Sequence, residues 1–115
     1  MEMQLFPETA IATEPLDVGP TSKLNLVDVV AQPQGAAFTA GVCEVFPGDA
    51  VDFDYDNDAA VCYMLEGEIT LREGDQTRQF KPGDIVYIPQ KEGLLVYWSA
   101  ETYGKFFYVT YPHWR

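Results

Sequence analysis

Turn signals built on glycine and proline divide most of this chain into short segments. Between them lie eight short runs rich in β-branched and aromatic residues, and none has a convincing helical period. Short strands at this rhythm predict an all-β sandwich or barrel. The runs cover residues 24–30, 37–46, 59–65, 69–72, 77–80, 85–88, 94–98 and 105–111. The turns include 33–35, 47–48, 66–67, 73–75, 82–83 and 92–93.

The chain length sets the number of domains. At 115 residues the chain is long enough for one hydrophobic core and too short for two. Prolines and glycines interrupt weak apolar clusters near the start. We therefore expect residues 1–23 to form an arm or edge strand and residues 24–115 to form the barrel.

The net charge of the chain limits which kinds of molecule it is expected to bind. The formal net charge of −11 opposes binding to nucleic acids and to anionic membranes. The start lacks the basic and apolar regions of a secretion signal. A cytoplasmic protein is expected, with Cys43 and Cys62 as two buried free thiols rather than a disulfide.

An acidic segment precedes the third β run. Asp52, Asp54, Asp56 and Asp58 alternate with Phe53, Tyr55 and Asn57, so on a strand the four carboxylates would share one face. Three interpretations stay open: a solvated loop at a barrel mouth, a carboxylate-rich pocket for a substrate or amine, and a metal site.

The spacing of residues around this segment resembles the first motif of the cupin family. Gly48 and Gly67 stand at the two glycine positions of that motif. Asp54 and Asp56 occupy the places of its two histidine ligands, and Ala60 occupies the place of its glutamate ligand. The scaffold of the motif is therefore kept while its ligands are replaced.

A second segment resembles the second cupin motif in the same way. Gly83 and Pro89 match its frame, whereas Lys91 stands at a usual glycine. Leu94 replaces the third histidine ligand, and Trp98 replaces the usual asparagine.

Further segments are similar to the EutQ-type branch of the cupins, named for ethanolamine utilisation. They are residues 64–68, 82–85 and 87–89, with the ending 107–114. The resemblance covers about residues 24–115. It implies a double-stranded β-helix, or jelly-roll barrel, that is usually a homodimer with a pocket at one mouth.

The usual cupin metal is not expected here. First-row metals in this fold depend on imidazole ligands, and the chain has a single histidine, His113, beyond the last predicted strand. Two inward carboxylates about 6.5 Å apart repel by about 2.5 kcal/mol at an effective dielectric constant near 20. The sequence therefore predicts no cofactor. The one exception that it leaves open is a hard divalent cation bound by Asp54 and Asp56.

The alternation of the strands predicts which side chains line a pocket. If Asp54 and Asp56 face inward, Cys62 and Met64 do so as well, together with Leu94, Val96 and Trp98 of the second motif. These five residues are the candidate ligand-binding set.

The candidate catalytic residues are the two acids and two phenols. Asp54 or Asp56 would act as the acid, base or cation anchor, and Tyr97 or Tyr108 would orient a substrate or donate a proton. The sequence thus predicts a EutQ-like cupin that binds or converts a small metabolite and is linked to ethanolamine utilisation. Two alternatives are a metal-dependent cupin enzyme with a carboxylate-rich site and a non-enzymatic dimeric binding or scaffold module.

Overall fold

The computed structural model describes residues 2–17 and 23–115, which form ten β-strands and two short 3-10 turns at Glu8–Ala10 and Gln32–Gln34. The strands are β1 Glu14–Asp17, β2 Lys23–Val30, β3 Thr39–Val45, β4 Ala50–Asp54, β5 Ala59–Gly67, β6 Ile69–Glu73, β7 Gln76–Phe80, β8 Ile85–Ile88, β9 Leu95–Ser99 and β10 Gly104–Tyr111.

The strands form two antiparallel sheets. The six-stranded sheet has the order β1-β2-β3-β10-β5-β8, and the four-stranded sheet has the order β4-β9-β6-β7. The last strand, β10, lies between β3 and β5, so the chain closes the larger sheet through its own C-terminal strand. The predicted all-β jelly-roll barrel is confirmed.

The sequence predicted eight of the strands to within about two residues at each end and did not list β4 as a strand. In β4, Val51 pairs with Trp98 and Phe53 pairs with Val96 of β9. Acidic residues at alternate positions lower the β-propensity of this segment. It forms a strand nevertheless, because it is an edge strand whose acidic side chains remain exposed while Val51 is buried.

The core is densely aromatic. The rings of Trp98 and Phe106 stack with centroids 4.8 Å apart, and Phe80 meets Trp98 edge-on at 6.4 Å. Val45 and Ile69 are fully buried. Residues alternate strictly along β10, where Phe106, Tyr108 and Thr110 are buried inside the barrel.

The N-terminal segment lies along the edge of the larger sheet. β1 pairs with β2, and the Thr13 hydroxyl donates a hydrogen bond to Glu44 at 2.6 Å. The predicted boundary at residue 23 follows residues 18–22, which lie outside the described residues, so this boundary stays a prediction. Across the described ranges, no helix has the length and apolar character needed to span a bilayer.

Candidate functional site

A cavity of about 400 Å³ opens at the end of the barrel where β4 ends and β5 begins. This volume lies within the range of small-molecule sites. Both sheets and the C-terminal segment contribute to the wall. The lining residues are Leu26, Cys43, Asp52, Phe53, Asp54, Tyr55, Asn57, Asp58, Ala60, Cys62, Trp98, Phe106, Tyr108, Thr110 and Trp114.

Aromatic side chains make up much of the wall. The stacked pair of Trp98 and Phe106 lies deep in the barrel, while Trp114 packs edge-on against Phe53 with centroids 6.1 Å apart. Aromatic faces attract organic cations and exclude water from polar contacts. The cavity therefore offers an apolar, electron-rich surface.

Asp58 is the buried acid of the cavity. It is 8% exposed, and burial together with the nearby charge of Asp54 raises the pKa of its carboxyl to about 6. Among the described residues that line the cavity there is no Lys, Arg or His. The carboxylate is thus held in an apolar site without a positive partner from the cavity wall.

The two predicted acids have different positions. Asp54 lines the cavity with an exposed side chain, and its Oδ1 lies 3.4 Å from the Asp56 amide. Asp56 does not line the cavity, because it lies in the turn after β4 and its carboxylate accepts a hydrogen bond from the Gly93 amide at 2.7 Å. Asp56 therefore joins two loops, whereas Asp54 lies at the mouth.

The two predicted phenols also differ. Tyr108 lines the cavity, but its hydroxyl donates a hydrogen bond at 2.6 Å to Asp28, which is not one of the cavity residues. Burial and this contact raise the pKa of Tyr108. Tyr97 does not line the cavity: its ring lies beneath the Arg72 guanidinium at 4.6 Å.

The five predicted ligand-binding residues lie at different depths along the barrel axis. Cys62 and Trp98 line the cavity. Met64 and Val96 are buried in the core but do not line it, and Leu94 is half-buried before β9 begins. The alternation of side chains fixed the inward face without fixing how deep along the axis each residue lies.

The thiols do not form a reactive pair. Cys43 and Cys62 are free and buried, and they lie on β3 and β5, on opposite sides of β10. Burial raises the pKa of Cys62 to about 12 and that of Cys43 well above its usual value. Both behave as small apolar wall residues.

Asp28 fixes the C-terminal wall of the cavity. It accepts hydrogen bonds from Tyr108 at 2.6 Å, from Trp114 Nε1 at 2.9 Å and from Arg115 Nε at 2.7 Å. Burial alone would raise the pKa of Asp28, but these three donors hold it below its usual value. The Tyr108 ring crosses closely over Gly41, where a side chain would collide with it.

The cavity residues that were not among the predicted site residues include Asp58, Tyr55, Thr110 and Trp114. Asp58 has the same alternation as Ala60 and Cys62, so extending the inward pattern back by one position would have included it. Trp114 lies beyond the last strand, and its position depends on the contact with Asp28. The sequence gives no local signal for that contact.

The residues at the four ligand positions of the cupin motifs do not fit the family's metal. Ala60 and Leu94 carry no donor atom, and the Asp56 carboxylate is directed to the Gly93 amide. Within residues 2–17 and 23–115, no three His, Cys, Asp or Glu side chains lie close enough to hold a metal ion together.

The antiparallel jelly-roll barrel and the cavity at one of its ends are the features of a small cupin-type barrel. The sequence model for the "EutQ-like cupin domain" family matches residues 32–107, about two thirds of the chain. The chain therefore belongs to the EutQ-like cupin domain family, which confirms the resemblance.

Named relatives agree with this assignment. Acetate kinase EutQ of Escherichia coli is 30% identical over 97 residues, which cover 80% of this chain and 38% of that protein. The Salmonella typhimurium protein of the same name is 29% identical over 97 residues, covering 80% of this chain and 39% of that protein. The chain thus spans less than two fifths of the length of these relatives.

Solved structures show the same fold. The crystal structure of an ethanolamine utilization protein EutQ from Salmonella typhimurium superimposes with a TM-score of 0.83 at 22% identity. The superposition covers 94% of this chain and 85% of the other. At this identity the likeness establishes the barrel and its topology.

Proposed function

We propose that this EutQ-like cupin binds a small organic cation, such as a primary amine, in the barrel cavity. The observation that supports the proposal is the buried Asp58 carboxylate on an aromatic wall with no basic side chain. Asp58 would anchor the positive group, and Asp54 would add negative charge at the mouth.

A charge that is buried without a partner costs free energy. A carboxylate in an apolar site is stabilised by an opposite charge, and charge-assisted hydrogen bonds are about twice as strong as neutral ones. A bound ammonium would also contact aromatic faces, which stabilise cations further. The net charge of −11 would raise the local concentration of cations.

A pKa near 6 also suits proton transfer at neutral pH. If the bound amine reacts, Asp58 is the residue that would accept or return a proton. Neither predicted phenol is as well placed as Asp58 for this proton transfer. The Tyr108 hydroxyl is hydrogen-bonded to Asp28, and Tyr97 lies outside the cavity.

The names of the relatives bear on the ligand in two ways. Their link to ethanolamine utilisation agrees with an amine ligand, and we place this protein in amine metabolism in the cytoplasm, where its two free thiols would stay reduced. Their description as acetate kinases is not carried over, since the cavity offers no basic side chain for phosphate.

We also propose that the protein is a homodimer through an outer apolar face. This face consists of six side chains on β5, β8 and β10, each at least 40% exposed: Val61, Tyr63, Leu65, Ile85, Tyr87 and Phe107. In the sheet Tyr63 pairs with Ile85 and Val61 pairs with Tyr87, so the exposed groups are contiguous. None of these six side chains is charged, so a second copy can pack on them despite the acidic chain.

The binding proposal is tested with Asp58→Asn. Hexylamine and phenethylamine are titrated into the wild type and the variant at pH 7.5, and affinity is measured by calorimetry. We expect Asp58→Asn to weaken amine binding by at least about tenfold, because it removes a charge-assisted hydrogen bond.

The matched control is Asp56→Asn, which removes the same charge two residues away. Its amide oxygen can still accept the hydrogen bond from Gly93, so amine affinity should change by less than about twofold. Equal losses in the two variants, or unchanged affinity in Asp58→Asn, would contradict the proposal.

A further inference from the structure

Two of the described residues that line the cavity, Trp98 and Thr110, each carry a buried polar atom without a hydrogen-bond partner: Trp98 Nε1 and Thr110 Oγ1. We infer that the bound cation is elongated and carries a neutral oxygen at the end away from its positive group, where it accepts a hydrogen bond from Trp98 Nε1. This inference rests on the proposed amine function and specifies its ligand.

The Trp98 indole is fixed in place. It is 2% exposed, stacks on Phe106 and pairs with Val51 and Leu71 across the two neighbouring strands. The Tyr55 hydroxyl lies beside the indole N–H, which acts against the rise in the Tyr55 pKa, but the geometry of this contact falls short of a hydrogen bond. A buried N–H that lacks a partner is costly to the fold, and a ligand oxygen would recover this cost.

The second tryptophan of the wall provides a contrast. Trp114 Nε1 donates to Asp28 at 2.9 Å, so this indole is satisfied within the protein. The Trp98 N–H is therefore the indole donor that remains for a ligand.

Strand β10 shows how far apart the two polar ends of the cavity are. Phe106 stacks on Trp98, whereas Thr110 lies four residues further along and pairs with Ala60, two residues after Asp58. Four residues of antiparallel strand span roughly 13 Å. The cation anchor at the mouth and the indole donor deep in the barrel are therefore well separated along the axis.

Thr110 provides a second hydrogen-bonding group at the end of the cavity where the cation would bind Asp58. Thr110 lines the cavity near the start of β5, which follows Asp58, and its buried Oγ1 has no partner among the described residues. An ammonium donates up to three hydrogen bonds, so it can use both the Asp58 carboxylate and the Thr110 hydroxyl. The ligand class that satisfies all three groups is an amine with a distal hydroxyl, amide or carbonyl.

The test uses two matched probe pairs that differ only in the distal oxygen: phenethylamine with tyramine, and hexylamine with aminohexanol. In the wild type we expect the oxygen-bearing member of at least one pair to bind about five- to tenfold more tightly, the effect of one recovered hydrogen bond. In Trp98→Phe this preference should fall to about onefold while the plain amine still binds.

Trp114→Phe is the control, because it removes an indole N–H that already has a partner. This variant should change the affinities of the two amines in each pair by the same factor, so that their ratio stays the same. Since each preference is a ratio within one protein, a general loss of stability cancels.

Each other outcome has a definite meaning. Amines that bind without an oxygen preference would overturn this inference and leave the proposed function standing. A preference kept in Trp98→Phe but lost in Tyr55→Phe would overturn the assignment to Trp98. Failure of all four amines to bind would overturn the proposed function itself.

Discussion

Asp58→Asn is expected to make the protein more stable at neutral pH by about 2–3 kcal/mol. The pKa of Asp58 rises from the ordinary 3.8 to about 6 in the folded state, and each unit corresponds to about 1.4 kcal/mol. The folded protein therefore binds this proton more tightly than the unfolded chain does. The stability linked to Asp58 is complete below about pH 3.8 and is lost as the pH rises through about 6.

Urea denaturation across pH 4–8 measures this effect. The stability difference between Asp58→Asn and the wild type should be small near pH 4, grow up to about pH 6 and stay level above pH 7. Asp56→Asn should lie within about 0.5 kcal/mol of the wild type throughout, as expected for an exposed position that keeps its hydrogen bond. A destabilised Asp58→Asn at pH 8 would show that its charge is compensated in the fold.

Ile85→Glu is expected to convert a dimer into a monomer. Ile85 is 70% exposed in the single chain, so the substitution costs the monomer little, but it would bury a charge in the outer apolar face of a dimer. We expect dimer dissociation to become at least about a hundredfold easier, measured by sedimentation or light scattering over a concentration series.

Thr77→Glu is the control for charge alone. Thr77 is exposed on β7 of the other sheet, so the same added charge should leave the dimer intact. A wild type that is monomeric at tens of micromolar would contradict the dimer proposal, as would an Ile85→Glu variant that stays dimeric.

The sequence predicted the fold well because turn chemistry is local. Gly48, Gly67, Gly74, Gly83 and Gly93 all adopt positive φ in the structure, a conformation that glycine adopts without steric cost. These turns fix where strands end, and alternation fixes which face is inward. Segment β4 was missed because its acids obscure the apolar alternation.

The site was predicted only in part. Of the predicted site residues, Asp54, Cys62, Trp98 and Tyr108 lie on the cavity wall, and the roles predicted for them stay predictions. Alternation does not give axial depth, so Met64 and Val96 could not be distinguished from cavity residues.

The aspartates of the acidic segment show a second limit. Side chains two residues apart share a face only while the strand continues, and β4 ends at Asp54. The turn that follows directs the Asp56 carboxylate toward Gly93, and Asp58 is already buried just before β5 begins. Adjacent acids in one motif therefore take three different environments.

Titration of the Asp58 carboxyl by carbon-13 NMR, with and without phenethylamine, measures the charge on which amine binding depends. We expect a pKa near 6 in the free protein and a decrease of at least about one unit when the amine is saturating, because a bound cation favours the carboxylate. A pKa near 4 in the free protein, or one that the amine does not change, would contradict the account.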